Sequence, residues 1–333
     1  MADLNRSGTY DSIFFLAIIL FAFVVPTMST SAAESFDDPT PRGALGRRPK
    51  IVLLGDSLTQ LSFSPSLSGW GAALADAYQR RADVLNRGMS GYNTDWYLRY
   101  LRTEGGMEDA LGCGEDIVAA VVFFGANDAS HPELNARQHV PLERYKANLK
   151  EIIGMVKEAT GGRAKAIVVG PPPVDHAGRL RYQVERYGDK ATGELERTLE
   201  LSGKYAAAAS EVAKEVGVPY LDLWGEMQQE ASSPVTKGDQ DETCEKEEPW
   251  ARYLSDGLHF SREGNNFVGE CLLQLFQEEY PDLSVTPCPR TGFWGNSAST
   301  CLGLQQSGPW HDVLGNAESV EKAFGDSKEG ASG

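Results

Sequence analysis

The sequence predicts an α/β fold in which a five-stranded parallel sheet is covered by helices on both faces. Two observations carry this. Apolar runs of strand type alternate five times with longer segments in which apolar residues recur every three or four positions. Each run is followed by such a helical segment, the order expected of parallel strands joined by helical crossovers. In chain order, a strand at 51–54 (Ile-Val-Leu-Leu) precedes a helix at 70–81, and a short strand at 84–85 precedes a helix at 94–101. The apolar run 117–124 precedes a helix at 142–159. Strands at 166–169 and 218–221 precede helices at 195–216 and 262–279. In such a sheet, reacting residues gather at the carboxyl ends of the strands.

The chain of 333 residues suits one catalytic domain with appended ends. Residues 1–33 read as a signal peptide or membrane-targeting leader: 14–25 is an uninterrupted apolar run, followed by Pro26 and the small trio Ser31-Ala32-Ala33. The run is shorter than the ~20 residues a membrane span needs. The expected location is therefore secreted or in the endomembrane lumen, with a membrane anchor or an organelle leader as the alternative. Residues 34–48 form a linker, 49–280 the domain, and 281–333 a Gly/Ser/Pro-rich tail. Within the domain, 228–248 is a strongly acidic surface insertion. A net charge of −16 opposes a broad grip on nucleic acid or anionic lipid. None of the five cysteines forms a C-x-x-C pair; Cys288 and Cys301 could pair in an oxidising lumen, and five unpaired thiols is the alternative.

Ser57 follows the first strand through a Gly55-Asp56 turn, which places its hydroxyl at the exposed end of a buried strand. A Gly-Asp-Ser triplet alone is ordinary loop chemistry. A serine becomes a useful nucleophile only when a histidine held by a third group removes its proton. His259 sits in Asp256-Gly257-Leu258-His259, where the carboxylate three residues earlier can fold back on the ring and fix its tautomer. An Asp beside a His in a loop also serves as a helix-capping cluster. The oxyanion of acyl transfer needs donors. Candidates are the glycine-bearing segment 86–93 and Asn127, directly after the third strand. Each of these is also a common turn former.

Taken together, Gly55-Asp-Ser-Leu58, Gly91 within 86–91, Gly-x-Asn-Asp at 125–128 and Asp-x-x-His at 256–259 resemble, in order, the four consensus blocks of the SGNH/GDSL hydrolases. The similarity is nearest to the isoamyl-acetate-hydrolysing esterase subgroup, on GDSLTQ at 55–60, GWGAALAD at 69–76, NRGMSGYNT at 86–94, FFGANDA at 123–129, QHVPLERYKANL at 138–149, PPPVD at 171–175 and YLSDGLHFS at 253–261. It covers about 49–279. The resemblance implies a flavodoxin-like three-layer α/β/α sandwich, with Ser57 as nucleophile, His259 as base and Asp256 as its orienter. It also implies an oxyanion hole from the Ser57 amide, the Gly91 amide and the Asn127 side chain. A small neutral ester is the expected partner. Asp56 and Asp128 are read as loop-structuring carboxylates, and His131 and His139 as loop residues near the pocket entrance with a surface role.

No H-E-x-x-H, paired-cysteine or P-loop motif occurs, so no metal or other cofactor is expected. The alternatives are a carbohydrate O-deacetylase of the same mechanism, a thioesterase, and a non-catalytic binding module on the same fold. The leader, the acidic insertion and the tail depart from the compact subgroup pattern and leave substrate and compartment open.

Overall fold

In the computed structural model, the described residues are 48–112, 114, 116–232 and 248–285. The leader, the linker up to residue 47, Cys113, Cys244, Cys288 and Cys301 lie outside them, as do 233–247 and 286–333.

Five strands, β1 (Lys50–Gly55), β2 (Asp83–Gly88), β3 (Ile117–Phe123), β4 (Lys165–Val169) and β5 (Tyr220–Leu221), form one parallel sheet in the order β2-β1-β3-β4-β5. Period-two geometry sends alternate residues to opposite faces. Ile51 and Leu53 of β1, with Ala119, Val121 and Phe123 of β3, pack on one side, and Val52, Leu54, Ala120 and Val122 on the other. The first side is closed by α2 (Trp70–Ala77), α8 (Leu223–Ala231) and α9 (Arg262–Glu279), through Trp70, Leu74, Met227, Leu272 and Phe276. The second is closed by α3 (Thr94–Leu101), α4 (Gly106–Leu111), α5 (Leu142–Ala159) and α7 (Leu199–Val216), through Leu98, Leu111, Leu149, Ile153 and Val212. The result is the expected three-layer sandwich. Its central strands are covered on both faces, which is why their sequences read as apolar throughout.

Helices α3, α5 and α9 occupy the spans read from their periodicity. Elsewhere the bounds move for local reasons. The helix expected from 195 begins at Leu199, because the Thr198 hydroxyl accepts from Leu201 N–H and caps it there. The helix expected to reach 81 ends at Ala77, and the last strand shortens to two residues. Four helices were not foreseen: α1 (Ser57–Gln60), α4, α6 (His176–Tyr187) and α8. Of the acidic insertion expected at 228–248, Gln228 to Ala231 are the last turn of α8 and 233–247 lie outside the described residues. The packed chain also continues beyond residue 280: Leu283 and Val285 are buried in the core, and the Tyr78 hydroxyl donates to the Leu283 carbonyl at 2.7 Å.

The loops after β1, β2 and β3 open at one edge of the sheet. Gly55 makes the first turn possible, because a Cβ there would lie 2.0 Å from Thr59 Oγ1 and 2.7 Å from the Phe123 carbonyl. Strand β1 therefore runs closely beside β3 and then turns directly into α1.

Candidate active site

Ser57 is the first residue of α1, and the helix is capped by Asp56, whose Oδ1 accepts from Leu58 N–H at 2.9 Å. The cap fixes the direction in which the serine leaves the sheet. Its Oγ lies 2.9 Å from His259 Nε2. The histidine is held by a tight loop closed by an antiparallel bridge between Leu254 and Phe260 and by Ser255 N–H donating to the His259 carbonyl at 2.7 Å. Inside that loop, Asp256 Oδ1 accepts from Leu258 and His259 N–H at 3.0 and 2.8 Å, while Oδ2 lies 2.8 Å from His259 Nδ1. A carboxylate at Nδ1 keeps the proton on that nitrogen and leaves the Nε2 lone pair facing Ser57. Burial pushes the Asp256 carboxyl up, but the hydrogen bond and charge of His259, with Arg179 adding to them, outweigh it and bring it down to about 2. At neutral pH Asp256 is therefore ionised.

The two oxyanion-hole candidates from the sequence, Gly91 and Asn127, are brought together by Gln138, whose Nε2 donates to the Gly91 carbonyl at 2.8 Å and to Asn127 Oδ1 at 3.1 Å. Asn127 Nδ2 in turn donates to the Tyr92 carbonyl at 2.9 Å and to Asp56 Oδ2 at 3.3 Å, next to Gly91 and Ser57 in the chain. Among the described residues, neither the Ser57 nor the Gly91 backbone N–H donates to an acceptor. The edge thus sets a serine hydroxyl against a histidine ring on one side and amide groups on the other, the kinds of group an acyl transfer requires.

The carboxylates read as structural do structural work. Asp128 Oδ1 accepts from Thr94 N–H at 3.0 Å and from the Thr94 hydroxyl at 2.5 Å, tying the loop after β3 to the start of α3; Oδ2 has no partner among the described residues. Burial raises Asp56 to about 6 and Asp128 to about 7. For Asp128 the folded state binds its proton more tightly than the unfolded chain. Its contribution to stability is present at low pH and is lost as pH rises from about 4 to about 7. Asn at this position keeps the Oδ1 acceptor without the charge. The stability of Asp128→Asn relative to the unsubstituted protein should rise with pH across that window; denaturant titrations at pH 5 and 8 giving the same difference would contradict this.

His139 Nδ1 lies 2.8 Å from the Ser130 carbonyl, and His131 Nδ1 accepts from the N–H groups of Glu133 and Leu134 at 3.3 Å. Both shape the loop after β3. A recess beside the base is lined by Leu58, Leu61, Leu67, His259, Phe260 and Asn265, with about 180 Å³ of empty space, part of it open to solvent. No group of three or more His, Cys, Asp or Glu among the described residues could hold a metal ion. Gln138, Arg179 and Arg197 were missed by the sequence reading. Gln138 opens the segment 138–149, but nothing in its spacing marks it as a bridge between two other loops.

The sequence profile of the GDSL-like lipase/acylhydrolase family matches residues 51–272. A GDSL esterase/lipase from Arabidopsis thaliana is 41% identical over 234 residues, which are 70% of this chain and 87% of that protein. An isoamyl acetate-hydrolyzing esterase 1 homolog from Mus musculus is 38% identical over 239 residues, 71% of this chain and 84% of that protein. Among solved structures, the lipase/acylhydrolase from Enterococcus faecalis is 25% identical, with a TM-score of 0.47, covering 69% of this chain and 96% of its own.

Proposed function

The chain belongs to the GDSL-like lipase/acylhydrolase family and is a carboxylic ester hydrolase, and from this we propose that it hydrolyses short-chain, acetate-type esters through Ser57, His259 and Asp256 by way of an acyl-enzyme. The observation that carries the proposal is the unbroken chain from Ser57 Oγ through the His259 ring to Asp256 Oδ2, at 2.9 and 2.8 Å.

His259 Nε2 takes the hydroxyl proton as Ser57 Oγ adds to the ester carbonyl. The Asp256 carboxylate stabilises the imidazolium that forms, and the carbonyl oxygen becomes an oxyanion. The Ser57 and Gly91 amides and one Nδ2 proton of Asn127 receive it. The longer of the two bonds of Nδ2, to Asp56 Oδ2, is the one given up. The imidazolium then returns its proton to the leaving alcohol, releasing it and leaving Ser57 acylated. Water attacks the acyl-enzyme by the same route, with His259 again as base, and frees the acid.

Three features favour small neutral esters. The recess beside His259 is small and lined mostly by apolar side chains, Leu58, Leu61, Leu67 and Phe260. The net charge of −16 repels anionic acyl carriers on approach. The mouse relative is named for isoamyl acetate hydrolysis. With matched leaving groups, kcat/KM for acetyl and butyryl esters should exceed that for palmitoyl esters by more than about 10², since each methylene a pocket cannot accept forfeits binding. A preference for palmitoyl would overturn the size assignment. High activity on acetylated oligosaccharides with little on alkyl acetates would replace it with O-deacetylation.

A further inference from the structure

Two arginines are buried behind the site, and the mechanism above does not use them. Arg179 on α6 is 5% exposed and Arg197, just before α7, is 3% exposed. Between them lies the Glu196 carboxylate, with Oε2 4.0 Å from Arg179 Nη2 and 3.8 Å from Arg197 Nη1. The outer ends of this triad reach the two halves of the active site. Arg179 Nη1 is 3.5 Å from Asp256 Oδ2, the same oxygen that faces His259 Nδ1. Arg197 Nη2 donates to Asn127 Oδ1 at 3.3 Å and to Gln138 Oε1 at 2.9 Å, while its Nε donates to the Ala126 carbonyl at 2.8 Å.

We propose that Arg179, Glu196 and Arg197 form a positioning brace, Arg197 fixing the amide of Asn127 in its donating orientation and Arg179 holding the Asp256 carboxylate against the base. The inference rests on the assignment of Ser57, His259, Asp256 and Asn127 given above.

Three physical arguments support it. The first is that burying an Arg–Glu–Arg triad is a poor source of stability, because desolvation offsets the attraction, so its placement calls for another role. The second concerns the Asn127 amide, which can sit either way round. Its Oδ1 is contacted by two donors, Arg197 Nη2 and Gln138 Nε2, so a flipped amide would set its NH2 group against both. The orientation that survives points Nδ2 at the catalytic edge. The third is that the brace has a rigid seat. Buried Gln183 donates to the Glu194 carbonyl at 2.8 Å and accepts from Glu196 N–H at 3.0 Å, and His131 N–H donates to the Glu196 carbonyl at 2.8 Å. The Arg179 guanidinium lies 4.5 Å over the Tyr182 ring. Gly257, at φ +78, presses the Asp256 loop onto this helix so closely that a Cβ would lie 2.2 Å from Arg179 N.

The two arms act on different quantities. Asn127 works on the oxyanion, which exists only in the transition state, so loosening it lowers kcat with little change in KM. Arg179 is a fixed cation beside the Asp256–His259 pair. The other charge facing that pair is Asp56 after β1, with Glu196 and Arg197 behind Arg179. Removing the Arg179 charge relieves the imidazolium of a like-charged neighbour, so the acid limb of kcat/KM moves to higher pH.

The test is a pH series of kcat and KM on p-nitrophenyl acetate with full-length variants, each corrected for its folded fraction. For Arg197→Met, kcat should fall about 10- to 10²-fold, below the roughly 10²–10³ expected for outright loss of an oxyanion donor, with KM and the acid limb in place. If that variant does not fold, Arg197→Lys, which keeps the charge but not the fork, should show a smaller loss of the same kind. For Arg179→Gln the acid limb should move to higher pH, and Arg179→Lys should restore it. Unchanged kcat in the Arg197 variants, an unmoved limb in Arg179→Gln, or the same general loss in every variant would each overturn the brace. Labelling of the unsubstituted enzyme by an organophosphorus ester separates the two levels. A label on Ser57 with unmoved arginine variants removes the brace alone, whereas a label elsewhere removes the site assignment and the brace with it.

Discussion

Substituting Ser57 with alanine is expected to lower kcat/KM by about 10⁴–10⁶ while leaving the fold intact. The size of the loss follows from the cooperative nature of the triad: without Oγ there is nothing for His259 to deprotonate, and the remaining rate comes only from binding and the oxyanion donors. The fold should survive because the Ser57 hydroxyl is bonded to His259 Nε2, whereas the helix it begins is capped by Asp56. Alanine at the first position of α1 also keeps the helical preference. Kinetics on p-nitrophenyl acetate and thermal unfolding of the same preparation check both halves. Turnover within tenfold of the unsubstituted protein would place the nucleophile elsewhere.

The second large effect is expected from Asp256→Asn, about 10³–10⁴ in kcat, by analogy with other serine triads. An asparagine can keep its carbonyl oxygen at the position of Oδ1, accepting from Leu258 and His259 N–H, so the loop stays closed. Its NH2 group would then face His259 Nδ1, which must become an acceptor. The ring proton moves to Nε2, and the nitrogen beside Ser57 can no longer take a proton. The carboxyl of Asp256 is held down to about 2, so in the native protein this failure cannot be produced by mild acid. A variant whose pH profile and kcat match those of the unsubstituted enzyme would show that Asp256 has no such role.

The three layers were legible in the sequence because the information they need is local. Helices α3, α5 and α9 each carry an apolar face, and the starts of α3 and α9 are marked at Asn93 and Ser261, whose side chains accept from Trp96 and Gly264 N–H. Helix α6 lacked such a face. Its buried residues are Gly178, Arg179 and Gln183, and a helix that buries polar groups carries no hydrophobic period to detect. The same physics divides the site. Asp256 and His259 lie three residues apart in one loop, so their pairing follows from chain geometry. Arg179, Glu196, Arg197 and Gln138 matter because of groups that are distant in sequence, and an arginine reads as surface until its burial is known. The end of the domain was misplaced for a related reason. Leu283 and Val285 look like isolated apolar residues in a polar tail, yet they fill the core beside Phe276 and Tyr78.

The assignment of Ser57 as the nucleophile activated by His259 is tested most directly by inactivating the enzyme with diethyl p-nitrophenyl phosphate and locating the adduct by peptide mass spectrometry. The expected result is stoichiometric loss of esterase activity in step with a diethylphosphoryl group on Ser57, since the tetrahedral phosphorus presents its oxygen to the same donors as the oxyanion of an ester. Inactivation with the adduct on any other residue, or complete modification of Ser57 with activity retained, would contradict it.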